Sequence, residues 1–390
     1  MGISEERRSP DWTRRQALEV LVAGAAAALC PRFLLAEPPG YPRGAVIRTI
    51  LKDYAPPDLA GGATLFHEHL SFPPDFMPRW IRYAAETRAA NALPQPSSVA
   101  TPPAAASPAP PPVVPPAVVS SPYFMQDLDL MVEEMKTAQG EGIGCIVDGG
   151  HADMGRDIAF LRQLSMKSGM PIVACAGFYA QPFYAKAISS MSVDQIARAL
   201  IKQVESDPVG AFGEIGSWDD ITRDERKVFR AIGKAHLATN LPIFTHTGIP
   251  GKSALEQLNI LEDAGVDPQR VVIGHLGNLV DPSVQVHRAI CKRGAFVGFD
   301  RQGGPGDSQQ VPMVMALIDA GFAANLLFSS DFANVSQLKR NNKDMGYAKT
   351  LTVFVPKLKA AGASDDVLRQ IMVDNPRRFL AFVPKRKRAA

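Results

Sequence analysis

The sequence predicts an α/β protein built as a single (β/α)8 TIM barrel, and three observations predict it. Beyond Pro122, short apolar runs alternate with longer amphipathic stretches, the pattern of parallel strands joined by crossover helices. With an earlier run at Ala63 the strand candidates number eight, the count that closes such a barrel. Polar residues able to hold a cation fall at or near the C-terminal ends of these runs. A barrel gathers those ends at one mouth, whereas an open doubly wound sheet would string them along an edge.

Bulk properties are compatible with this fold and exclude some functions. A chain of 390 residues could hold two domains, but one barrel commonly takes about 250 residues. The hydrophobic fraction of 46% and charged fraction of 21% suit a globular chain with a large core. A net charge of +3, with no stripe of interleaved basic and aromatic residues, argues against nucleic acid as a partner. Cys30, Cys145, Cys175 and Cys291 lack the paired close spacings of zinc knuckles or redox motifs. Cys145 and Cys175 stand in strand-like runs, as small buried hydrophobes do.

Taken in order, the chain begins with Thr13-Arg14-Arg15-Gln16-Ala17-Leu18 ahead of the apolar run Val20 to Leu29. That run is too short to span a bilayer and suits the h-region of a twin-arginine-type export signal. The expectation is a signal peptide over residues 1–36, a mature barrel over residues 37–390, a periplasmic location and no stable membrane insertion. The first strand candidate is Ala63-Thr-Leu-Phe-His67-Glu68-His69-Leu70. Successive side chains alternate faces in a strand, so His67 and His69 point the same way and can grip one ion. From about residue 91 to 122 the composition collapses to Pro, Ala, Ser and Val, which reads as a disordered surface insertion and not as a second domain.

The remaining strand candidates are Gly144 to Asp148, Pro171 to Gly177, Ala211 to Ile215, Pro242 to His246, Val271 to His275, Ala295 to Phe299 and Asn325 to Asp331. Helices fall between them around Arg156 to Ser168, Val193 to Ser206, Arg223 to Thr239, Ser253 to Ala264, Ser283 to Arg293 and Val311 to Ala320.

A lone histidine near a strand end is usually a hydrogen-bonded structural residue, and a lone Asp331 would serve as a helix cap. The joint pattern carries the argument: His67 and His69 on the first strand, Glu214 on the fourth, His246 and His275 on the fifth and sixth, Asp331 on the eighth. The set divides into two cation sites, His67 and His69 with Asp331, and His246 with His275, with Glu214 able to lend an oxygen to each. Two divalent ions roughly 3.5–4 Å apart with a hydroxide between them would make a nucleophile at neutral pH. Imidazole and carboxylate donors without thiolate suit zinc, with manganese, iron or cobalt also compatible. Asp331 is then placed to act as general base.

These residues resemble the phosphotriesterase family of the amidohydrolase superfamily. The likeness includes Phe66-His-Glu-His-Leu70, Val147-Asp148 with Gly155-Arg156-Asp157, Gly213-Glu-Ile-Gly216, Thr245-His-Thr-Gly248, Ile273-Gly-His275 and the closing Asp374-Asn-Pro-Arg-Arg-Phe-Leu380. It implies a metal-dependent hydrolase on a (β/α)8 barrel, and a homodimer. Two departures bear on substrate. Glu214 stands where the well-studied members have a carbamylated lysine, as in the family's homology-protein branch. Asn278 and Arg301 replace two members of the proton relay of the organophosphate enzymes, while Gly298-Phe-Asp300-Arg301-Gln-Gly303 is similar to a segment of the family's lactonases. The resemblance therefore implies a small lactone or other carboxyl ester as substrate, with Arg301 beside the pocket. A phosphotriesterase is the alternative, and a non-catalytic metal- or solute-binding barrel the third reading.

Tyr179 and Trp218 lie just past strand ends, where they can line the pocket or simply pack. Asp300 and Arg301 suit a salt-bridged loop anchor as well as a substrate contact. His151, His236 and His287 read as structural.

Overall fold

Eight strands and their connecting helices follow one another along the chain in a computed structural model. It describes residues 40–91 and 123–385, apart from residues 60, 249, 250, 280, 282 and 344. The expected signal peptide lies outside the described residues, as does the Pro/Ala-rich insertion except for Asn91, which ends a helix.

The barrel strands are β1 (Ala63–Glu68), β2 (Ile143–Asp148), β3 (Ile172–Ala176), β4 (Val209–Ser217), β5 (Ile243–Thr247), β6 (Val271–Ile273), β7 (Phe296–Phe299) and β8 (Leu326–Phe328). Each pairs in parallel with the next, giving one sheet in sequence order. The sheet curls into a barrel whose seam joins β8 to β1. Hydrogen bonds from the end of β8 hold that seam: Ser329 Oγ contacts both His67 N at 3.0 Å and His67 O at 2.7 Å, and Asp331 N donates to His67 O. The Glu68 carboxylate accepts from Ser330 N at 2.7 Å and Phe332 N at 2.9 Å, tying the same two strands.

Eight main helices cover the sheet: α1 (Phe76–Asn91), α2 (Leu128–Gly140), α3 (Ile158–Ser168), α4 (Val193–Ser206), α5 (Arg223–Thr239), α6 (Ala254–Asp263), α7 (Gln285–Lys292) and α8 (Asp307–Asp319). Local sequence starts several of them. Ser192 with Gln195, and Thr222 with Glu225, form reciprocal capping boxes for α4 and α5. Asp127 and Asp157 cap α2 and α3 by accepting from Leu130 N and Phe160 N. No described helix is long and apolar enough to cross a membrane.

Phe66, Cys145, Val147, Val173, Cys175, Phe244, Val272 and Leu327 fill the barrel interior, while a second, larger core packs the helices onto the sheet. Phe379 plugs the interior from the closing helix Asn375–Leu380. That helix is pinned by Asn375 Nδ2, which donates to Leu326 O, and by Arg377 Nε, which donates to Leu59 O.

The expected strands match within a few residues, with instructive exceptions. The sixth and eighth expected strands run through His275 and Asp331, but β6 stops at Ile273 and β8 at Phe328. His275 (φ 60°) and Asp331 (φ 49°) lie in the left-handed region, which turns the chain off the sheet and aims both side chains across the mouth. The helix α8 starts at Asp307, four residues before the expected position. Helices α1 and α2 are not among the six that the pattern predicts; in α1, Pro73, Pro74 and Pro78 around its start interrupt the pattern, and Pro78 is tolerated because it falls in the first turn.

Candidate metal centre

All six expected donors converge at the mouth. His67 and His69 project from β1, where alternation puts both on the inner side and Glu68 toward β8. His67 Nε2 lies 3.4 Å from Glu214 Oε2 and 3.8 Å from Asp331 Oδ1. His69 Nε2 lies 3.3 Å from Glu214 Oε1 and 3.1 Å from Asp331 Oδ1. On the other side His246 Nδ1 is 2.8 Å and His275 Nε2 3.5 Å from Glu214 Oε2, and the two ring nitrogens are 2.7 Å apart. Two groups result at Glu214, His67 with His69 and Asp331, and Glu214 with His246 and His275, each with its donor atoms close enough to hold one cation, and His67 and His275 form a further such group with Asp300. Glu214 lies within reach of both.

The donors fit a cation on two further grounds. His67 Nε2 is buried and without a hydrogen-bond partner, a costly state for a polar atom unless something else contacts it. Burial alone would lower the His69 pKa, but the adjoining Asp331 and Glu214 carboxylates push it up to about 9, so this end draws positive charge. Burial and the neighbouring His275 lower His246 to about 4, leaving a neutral imidazole suited to ligation. Against the desolvation that burial imposes, the facing histidines hold Glu214 well below the usual carboxylate range.

Asp300 is the residue whose importance sequence reasoning underrated. Wholly buried, it accepts from His67 Nδ1 at 3.0 Å and His275 Nδ1 at 2.8 Å, and from His275 N at 3.0 Å. One carboxylate thus orients a ring from each donor group and directs both Nε2 atoms into the site. Its partners are thus the two rings and the His275 backbone, and not Arg301. Arg301 turns the other way: its Nε donates to Asp331 Oδ2 at 2.8 Å. Burial works to raise the Asp331 pKa, but Arg301, His69 and the other rings hold it well below the usual range.

Beside the donors lies a cavity of about 200 Å³ lined by His69, Phe72, Phe76, Met77, Trp80, Tyr179, Glu214, His246, Arg301, Asp331 and Ala333. Tyr179 and Arg301 line it. Trp218 does not: it stands behind, with its ring 6.1 Å from His246 and 5.2 Å from Tyr83. Phe72, Phe76 and Trp80 take its place. They come from the segment after β1, which its prolines had disguised. The phenylalanines stack in series, Phe72 on His69 at 4.1 Å and Phe76 on Phe72 at 4.2 Å.

The histidines read as structural are hydrogen-bonded to backbone: His236 to Leu241 O, His287 to Leu276 O, and His151 to Glu214 O. His151 also pairs with Asp153, whose other oxygen accepts from Tyr179 N.

An eight-stranded parallel barrel that gathers histidines and carboxylates at the C-terminal ends of its strands is a (β/α)8 barrel whose mouth could hold metal ions. A model of the phosphotriesterase family matches residues 48–380, and the chain belongs to that family, as a hydrolase. The phosphotriesterase homology protein of Escherichia coli (strain K12) is 32% identical over 257 residues, covering 63% of this chain and 87% of the relative. Its crystal structure, complexed with phosphate in the active site, superimposes with a TM-score of 0.67 at 26% identity, covering 84% of this chain and all of that one. The N-acetyltaurine hydrolase of Xenopus tropicalis is 25% identical, covering 86% of this chain and 98% of the relative. The aryldialkylphosphatase of Saccharolobus solfataricus is 30% identical, covering 64% and 84%.

Proposed function

We propose that this hydrolase cleaves lactones or other small carboxyl esters with two divalent cations, zinc by the chemistry of its donors, and Asp331 as the proton acceptor. The observation that carries the reading is that two groups of three donors meet around Glu214 beside an aromatic cavity. Divalent cations held there supply a nucleophilic water at neutral pH and polarise a carbonyl oxygen.

The chain's own groups then have distinct tasks. Asp331 presents Oδ1 to the donors while Arg301 holds Oδ2, so the carboxylate is ionised and fixed in the orientation to take the water's proton. Tyr179 reaches toward His246, and burial keeps its hydroxyl protonated, so it offers a hydrogen bond to a substrate oxygen. Phe72, Phe76 and Met77 surround the acyl portion and exclude water. A cavity of about 200 Å³ suits a small acyl group or lactone ring.

Arg301 bears on the choice between carbonyl and phosphoryl substrates. A guanidinium has no acceptor, so a proton taken by Asp331 cannot pass on to Arg301. This weakens the phosphotriesterase reading, which relies on such a relay. The match over nearly the whole length of an N-acetyltaurine hydrolase favours a second reading, hydrolysis of a small N-acyl amide by the same groups.

The test is to express the chain from Glu37, load it with zinc or manganese and count metal by elemental analysis. About two ions per chain are expected, and fewer than one would sink the binuclear reading. Lactones, aryl esters, N-acyl amides and phosphotriesters are then compared, with Asp331→Asn expected to lower kcat by about a hundredfold or more. Equal rates in wild type and variant would mean that the hydrolysis arises elsewhere.

A further inference from the structure

Trp80 stands at the cavity with a contact that the donor groups do not explain. Its indole Nε1, which can only donate, gives a hydrogen bond to Tyr179 Oη at 2.8 Å. A phenol oxygen that accepts this bond must direct its own proton elsewhere. Tyr179 Oη lies 3.1 Å from Nδ1 and 3.2 Å from Nε2 of His246. Near-equal distances place it away from the in-plane lone pair of either nitrogen, and Nδ1 already faces Glu214 at 2.8 Å. His246 is thus a poor acceptor for the phenolic proton.

The rest of Tyr179 is held in place. Its N donates to Asp153 Oδ2 at 2.8 Å, and its carbonyl accepts from Gly216 N at 2.7 Å. Gly216 permits that approach, because a Cβ there would come within 2.9 Å of the Tyr179 carbonyl oxygen. With the backbone pinned and the ring buried, the freedom that remains is rotation of the hydroxyl.

We infer that Trp80 is a positioning residue: by donating to Tyr179 Oη it turns the phenolic proton into the cavity, where it meets the carbonyl oxygen of a bound ester or lactone. The inference rests on the hydrolytic reading of this cavity. It gives α1 a role in the chemistry that acts through Tyr179.

The experiment uses zinc-loaded protein, with 4-nitrophenyl acetate and δ-valerolactone as probes. Trp80→Phe keeps an aromatic ring and removes the donor. It should lower kcat roughly five- to tenfold with KM changed less than about twofold, the signature of an interaction that matters chiefly in the transition state. Tyr179→Phe should lower kcat by about tenfold or more, and the double variant should match Tyr179→Phe within about twofold, because Trp80 acts only through the hydroxyl. A loss that multiplies in the double variant, or an unchanged Trp80→Phe enzyme, overturns the assignment while Asp331→Asn remains inactive. Equal hydrolysis by wild type and Asp331→Asn instead overturns the hydrolytic reading, and the assignment with it. A readout independent of turnover is the indole N–H NMR resonance of Trp80, assigned by its loss in Trp80→Phe. It should shift upfield in Tyr179→Phe with or without metal, and a fixed resonance would show that the hydrogen bond is not made.

Discussion

Asp300 contacts one ring of each donor group, so its effect should reach both groups at once. A carboxylate accepts from two Nδ1–H groups through its two oxygens, and burial away from solvent strengthens both bonds. In Asp300→Asn the carbonyl oxygen can still accept from one ring, but the amide NH2 then confronts the other as donor against donor. The variant should hold its metal about 10- to 100-fold less tightly, a magnitude typical of partners that orient ligating histidines. Competition with a chelating dye would measure it. Unchanged retention would mean that packing alone fixes the rings, Phe244 at 5.2 Å from His67 being the candidate.

At the level of the element, β4 carries Glu214 and depends on the glycine before it. Gly213 has φ 152°, and a Cβ placed there would come within 2.3 Å of the Phe244 ring. Phe244 is wholly buried in the barrel interior and has little room to withdraw. Gly213→Ala should therefore displace the end of β4, costing about 1–3 kcal/mol of stability through overpacking. It should also move Glu214 away from both donor groups. Denaturant midpoint and metal stoichiometry should fall together, and a stable variant with a full metal complement would show that the ring can yield. The helix α1 makes the complementary point. Its prolines hid it from pattern reading, yet Phe76, Met77 and Trp80 on its first turns line the cavity.

For the molecule as a whole, packing inside the barrel and beneath its helices is tight enough to suppress thiol chemistry. Burial pushes the Cys145 and Cys291 thiols up to about 12, and raises Cys175 well above its ordinary value. The thiolate is the reactive form, so at pH 8 these groups should react at least about 1,000-fold more slowly than an exposed cysteine. In a Cys30→Ser chain, which leaves these three, an aromatic disulfide reagent should find no reactive thiol until the barrel unfolds and three afterwards. A thiol that reacts within seconds in the native state would contradict the packing of this core.

Much of the architecture was legible because it is encoded locally. Apolar runs of strand length, capping residues such as Ser192 and Thr222, and donors at strand ends leave marks within a few neighbouring residues, so the (β/α)8 order and the six clustered donors could be read from the chain. Asp300 could not be assigned in this way, since its partner His67 lies 233 residues away and nothing local marks the pair. The same holds for Glu68, which joins β1 to Ser330 across 262 residues, and for the replacement of Trp218 by Trp80 at the cavity. Tertiary structure decided these because a hydrogen bond across a closed barrel depends on which strand ends meet. The left-handed turns at His275 and Asp331 belong with them, since they are tolerated only where the surrounding fold holds the chain in that conformation.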